Sequence, residues 1–227
     1  MFNRLNRALH QALDSDKATP EPRQPTLESL LPGDVVSFWE AGDNVVRAVL
    51  ECREQLNRRE TVWRWNVLDE ARVLEVSPDG TVLYDRSVVL HQDSAEFETL
   101  TSDPEQGGVL KAFEARVRQG TAARQPTLFE YEQRVYRVVS TGIFDARPVG
   151  ADGYPNEPVW RDIDPNDAAE NVYFVLEPTT EVPPGESGAE VLGIWTTHIA
   201  LLFGRTIQPA DIQSIYPRAE PEPGEVR

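Results

Sequence analysis

The stretch 61–84, TVWRWNVLDEARVLEVSPDGTVLY, restricts the fold more than any other part of the chain. Trp63, Trp65 and Val67 take one side of a period-2 pattern, and Arg64 and Asn66 take the other. Ser77-Pro78-Asp79-Gly80 then makes a turn. Pro78 presets φ, Asp79 bonds its own backbone, and Gly80 absorbs a positive φ. A hairpin of 72–76 and 81–85, fed by a strand over 63–68, is therefore predicted. The result is an antiparallel sheet with an aromatic face.

Strand signals recur on both sides of this stretch. They fall at 35–39, 45–51 and 88–91, then at 128–132, 134–141, 171–177, 190–195 and 198–203. Ser102-Asp103-Pro104 offers an N-cap and a first-turn proline. Val109, Leu110, Phe113 and Val117 follow at helical spacing and Gly120 stops the run, so one internal helix is expected near 104–119. Val45-Val46-Arg47-Ala48-Val49 echoes Val135-Tyr136-Arg137-Val138-Val139, each second in a pair of strands. The expected fold is mainly β: an antiparallel sandwich or partly open barrel made of two similar halves, about 26–101 and 126–218, with the helix between them.

Phe2, Leu5, Leu9 and Leu13 mark an amphipathic helix over 1–17, with Arg4, Arg7 and His10 on its polar face. Residues 18–25, with three prolines and no large apolar side chain, read as a linker, and 219–227 as a polar tail. The apolar stripe of the helix needs cover, which predicts association with a protein partner or a second copy. A peripheral membrane contact is the sharper alternative, for which two arginines are few. No apolar run is long enough for a transmembrane helix, and Asn6, Arg7 and His10 interrupt any secretory core. The single cysteine, Cys52, excludes an internal disulfide framework. These features point to the cytoplasm.

The net charge of −16, all of it arising beyond residue 26, sets the choice of partners. Such a surface repels phosphate backbones, so no nucleic-acid partner is expected. It attracts cations or basic protein patches.

One order of features carries a family resemblance. Leu31-Pro-Gly-Asp34-Val-Val opens a strand, followed by the V-R-A-V strand, the W-x-W strand and the VLEVSPDG hairpin. Tyr136-Arg-Val, Tyr173-Phe-Val-Leu-Glu177 and Ile207-x-Pro-x-Asp-Ile212 complete the series. Over residues 27–216 this resembles the bacterial domain of unknown function 4178. The resemblance implies a soluble, mostly β module without assigned chemistry or catalytic residues. The acidic stretch 145–170 departs from it.

Catalytic and metal motifs are missing from the sequence. His10, His91 and His198 stand on unrelated segments without metal-ligand spacing. Cys52 lies between Glu51 and Glu54, which would raise its thiol pKa. Neither a nucleophile elbow nor a phosphate-binding loop occurs. No cofactor and no enzymatic activity are expected. Asp162, Asp164 and Asp167 alternate as hard-cation ligands do, but the glycine and glutamate of a calcium loop are absent, leaving a weak metal candidate. Tyr154 and Trp160, in the same acidic stretch, are the ligand candidates, since a long loop in a compact domain is often functional. The expected function is an accessory or scaffold module acting through protein contacts. The alternative is a module binding a small ligand or cation, a divalent ion or polyamine, through 145–170.

Overall fold

The computed structural model describes residues 23–55, 61–150, 154–163, 171–183 and 186–218. The predicted helix with Phe2, Leu5, Leu9 and Leu13, most of the linker, the polar tail, Asp164 and Asp167 lie outside the described residues. Four consecutive strands, β3 (Ala48–Glu54), β4 (Val62–Val67), β5 (Val73–Ser77) and β6 (Gly80–Leu90), form one meander. Four more, β8 (Arg134–Pro148), β9 (Val172–Pro178), β10 (Glu190–Trp195) and β11 (Ile199–Ile207), form a second. β6 pairs with β11 and β3 with β8, both antiparallel, so the eight strands close into a barrel. β7 (Leu128–Tyr131) pairs only with β8. β1 (Val35–Phe38), β2 (Gly42–Val45) and β12 (Ile212–Tyr216) make a separate three-stranded sheet.

The expected sandwich or partly open barrel is thus a closed one. Each meander supplies four strands, and inward side chains of both fill one shared interior. Closure removes the two free edges that a half-barrel would expose.

Three apolar clusters explain the strand sequences. Leu50, Trp63, Trp65, Phe144, Trp160 and Leu202 lie inside the barrel. On the outer wall, helices α1 (Ala95–Thr101) and α2 (Val109–Arg118) bury Leu100, Leu110 and Phe113 against Phe174, Leu176 and Leu201. Elsewhere the small sheet lays Val36 and Phe38 over Leu74, Val76 and Leu83. A wall covered on both faces needs apolar side chains in both phases, so β11 opens with an unbroken apolar run over 199–203.

Several boundaries differ from expectation. The runs 81–85 and 88–91 are one strand, β6, paired along its length with β11. β8 continues past Thr141 to Pro148, so the acidic stretch begins within the sheet. The internal helix is shorter than 104–119: Pro104–Gln106 is a single 3-10 turn, and α2 starts at Val109. Gly107, at φ 93°, separates them. α1, capped by the Ser94 hydroxyl accepting from the Phe97 amide at 3.2 Å, was not foreseen, nor was β12. Among the described residues no helix is long and apolar enough to cross a membrane.

Asp34 holds together Arg23, Leu31 and the distant Arg218. Its buried carboxylate accepts from Arg23 at 2.6 and 2.9 Å, from the Leu31 amide at 2.8 Å and from the Arg218 amide at 2.9 Å. Burial alone would raise its pKa. These donors outweigh burial and hold the carboxyl below its usual range.

Candidate functional site

The barrel is filled at one end and hollow at the other. The acidic stretch supplies the filling. A single helical turn, α3 (Pro158–Arg161), carries Trp160 into the interior, where it is 2 % exposed and its ring centroid stands 5.6 Å from that of Trp65. Val159 and Ile163 pack beside it. Asp162 fastens this plug to the β10–β11 turn by accepting from the Thr197 hydroxyl at 2.9 Å, with His198 Nδ1 3.3 Å away. Arg161 holds the Asp162 carboxyl below its usual pKa, despite partial burial. Tyr154, half-buried, donates its hydroxyl to the Ala146 carbonyl at 2.7 Å.

Tyr154 and Trp160 are therefore packing elements at the closed end. Asp162 is engaged with Arg161 and Thr197. Among the described residues no group of three His, Cys, Asp or Glu side chains converges to hold a metal ion. Cys52 is fully buried in the barrel interior, and burial pushes its thiol pKa well up, which makes it a poor nucleophile.

At the opposite end lies a cavity of about 420 Å³. Glu54, Trp63, Trp65, Glu75, Tyr173 and Glu190 supply its chemistry, and the β5–β6 turn forms part of its rim. Trp65 is its floor, in T-shaped contact with Phe144 at 5.1 Å and Trp63 at 5.8 Å. Trp63 meets Tyr173 edge-on at 5.4 Å. An eight-stranded barrel has room inside for side chains or for one small ligand, and here it divides that room between the two.

The carboxylates reach the interior because their positions share its strand phase. Glu75 lies directly across from Trp65, and the indole Nε1 donates to its Oε2 at 2.8 Å. Tyr84 on β6 stands near both Glu75 on β5 and Glu190 on β10, close enough for its hydroxyl to lower the pKa of each. Burial raises the Glu75 pKa to about 7, against the pull of the Trp65 bond, and the Glu190 charge adds to the rise. Burial also raises Glu190, assisted by Glu177. The phenol of Tyr84 is pushed far above its ordinary value by burial and by both carboxylates. Glu54, at the end of β3, accepts from the Tyr173 hydroxyl.

Gly204 lets Tyr84 take this position. A bulge at Asp85 of β6 faces the Phe203–Gly204 step of β11, since Phe203 pairs with Arg86 and Gly204 with Tyr84. A Cβ at Gly204 would stand 2.6 Å from the Tyr84 ring and 2.7 Å from the Leu83 carbonyl oxygen. No family model, curated protein or solved structure matches the chain. The cavity is therefore read from its own geometry.

None of Glu54, Glu75, Tyr84, Tyr173 or Glu190 stood out as a site residue in the sequence. In Val73-Leu74-Glu75-Val76-Ser77 the apolar residues Leu74 and Val76 mark one phase as core, which assigns Glu75 to solvent. The structure reverses this, because Leu74 and Val76 face the small sheet outside the barrel. The usable signal was that Glu75 shares its phase with Val73 and pairs with a tryptophan.

Proposed function

We propose that this chain is a small-ligand-binding module, without turnover chemistry, whose site is the open-ended barrel cavity. The observation that carries the reading is the asymmetry of the barrel. Trp160 fills one end, while at the other about 420 Å³ stays open between aromatic walls and inward carboxylates. Concave sites with apolar walls and a few placed polar groups are the usual form of small-molecule sites. Relative to the sequence expectation, the ligand site moves from the acidic stretch 145–170 to the far end of the barrel.

The test is a thermal-shift and tryptophan-fluorescence screen of chemically varied small molecules. It compares the parent with Val175→Trp, which fills the cavity from β9. Ligands that raise the parent melting temperature, and lose that effect in the folded variant, support the reading. Equal shifts in both proteins would place binding elsewhere.

The accessory or scaffold role is the second reading. Trp39 at 67 % and Tyr216 at 52 % exposure, next to and within the three-stranded sheet, support it. Co-purification with the parent, lost on Trp39→Ala and Tyr216→Ala, is the measurement that separates it from ligand binding.

A further inference from the structure

We propose that the cavity takes an organic ammonium ion, its charge held by Glu75 and Glu190 and its carbon body laid against Trp63 and Tyr173. This rests on the reading of the cavity as a ligand site and adds the class of ligand.

Three observations converge on that class. The first is charge. Glu54, Glu75, Asp79 and Glu190 all line the cavity, and no lysine, arginine or histidine among the described residues does. The groups that favour the ionised forms of Glu75 and Glu190 are neutral, the Trp65 indole bonded to Glu75 and the nearby Tyr84 hydroxyl. Each carboxylate keeps lone pairs for a further donor. The second is the wall. Trp63, Trp65 and Tyr173 surround the same space, and aromatic faces attract cations whose charge is spread over carbon-bound groups. The third argues against a bare metal ion. No three ligating side chains among the described residues converge as a metal requires. Carboxylates in a roomy aromatic cavity suit an organic cation.

The arrangement also couples binding to a proton. Glu75 faces Trp65 on β4, Tyr84 on β6 and Glu190 on β10, with Cys52 and Glu54 on β3 and Tyr173 on β9 close by. None of these groups is cationic. With the cavity empty, a proton on Glu75 is the local answer to its burial and, after that, to the nearby negative charge. An ammonium ion supplies the charge instead, so its binding expels that proton. Affinity then rises with pH across the range in which empty Glu75 titrates, by up to about tenfold per pH unit.

The experiment uses a matched set of probes on the full chain: benzyltrimethylammonium and spermidine as cations, benzyl alcohol and maltose as neutral ligands, benzoate as an anion, and calcium as a bare cation. Tryptophan fluorescence and isothermal titration are read at pH 6 and pH 8. The expected result is binding of the ammonium probes alone, tighter at pH 8. It should weaken at least tenfold in Glu75→Gln and in Glu190→Gln, and vanish in Val175→Trp. Glutamine mimics a protonated glutamate, so Glu75→Gln is expected to fold, and its circular dichroism checks this. Binding of benzyl alcohol, maltose or benzoate as tight as that of the cations would overturn the ammonium assignment and leave the cavity a ligand site. So would ammonium binding that survives both glutamine variants, or a response to calcium alone. Silence of every probe, with parent and Val175→Trp indistinguishable, would sink this assignment and the ligand-site reading together.

Discussion

The indole nitrogen of Trp65 and the carboxylate of Glu75 stand 2.8 Å apart as direct cross-strand partners on β4 and β5. Trp65 is fully buried, so its N–H needs an acceptor, and Glu75 in turn needs donors to be held inside a barrel. Each residue answers a cost that the other's position creates. Tyr84 lies near both Glu75 and Glu190, and burial followed by the two carboxylates raises its phenol pKa.

Removing the indole donor should expose this dependence. The Trp65 bond favours the ionised form of Glu75, so Trp65→Phe should raise the Glu75 pKa above its value of about 7. A carboxyl-carbon NMR titration measures it. A midpoint that is unchanged or lower would show that the bond does not govern the ionisation of Glu75.

Glu75 should also make stability fall as pH rises. Its folded pKa of about 7 lies above the ordinary 4.5, so the folded state binds the extra proton between these values. That contribution is present in full below the ordinary value and is lost as pH rises through the folded one. From pH 5 to 8 the parent should lose on the order of 2–3 kcal/mol relative to Glu75→Gln. Urea melts of both proteins at several pH values give this difference directly, and parallel pH profiles would refute it.

Asp34 acts in the opposite direction. Its folded pKa is lowered, so its contribution is present above the ordinary value of 3.8 and lost as pH falls through the folded one. Asp34→Ala leaves the amides of Leu31 and Arg218 without their acceptor and should cost roughly 2–4 kcal/mol at neutral pH. The loss is expected in chemical denaturation. A variant as stable as the parent would mean that water replaces the carboxylate at no cost.

Gly204→Ala tests the seat of Tyr84. The new methyl meets the Tyr84 ring and the Leu83 carbonyl oxygen, and backbone cannot yield as a flexible side chain does. A destabilisation of about 1–3 kcal/mol is expected, with a change in near-ultraviolet circular dichroism as the phenol moves. An unchanged spectrum and melting temperature would show that the bulge has slack.

Trp160→Ala should open the closed end. Truncating a buried aromatic costs about 3–5 kcal/mol. A fold that holds would let the fluorescence of Trp65 respond to small quenchers entering from that side. Parent-like stability would mean that α3 is not needed to fill the barrel.

Much of this architecture could be read from the chain. The Ser77–Gly80 turn, the tryptophan strand and most strand positions follow from turn chemistry and period-2 patterning, which are local and need no partner. The closure of the barrel was not readable, because the β6–β11 and β3–β8 pairings join segments far apart in sequence. Nor was the fate of the acidic stretch. Trp160 in a polar segment looks like a loop aromatic until the barrel offers it an interior. Above all, the sequence alone determined that Glu75 and Leu74 lie on opposite faces of one strand. Only the tertiary structure decided which face is the inside. With both faces of the wall covered, alternation separates two environments without saying which of them is the cavity.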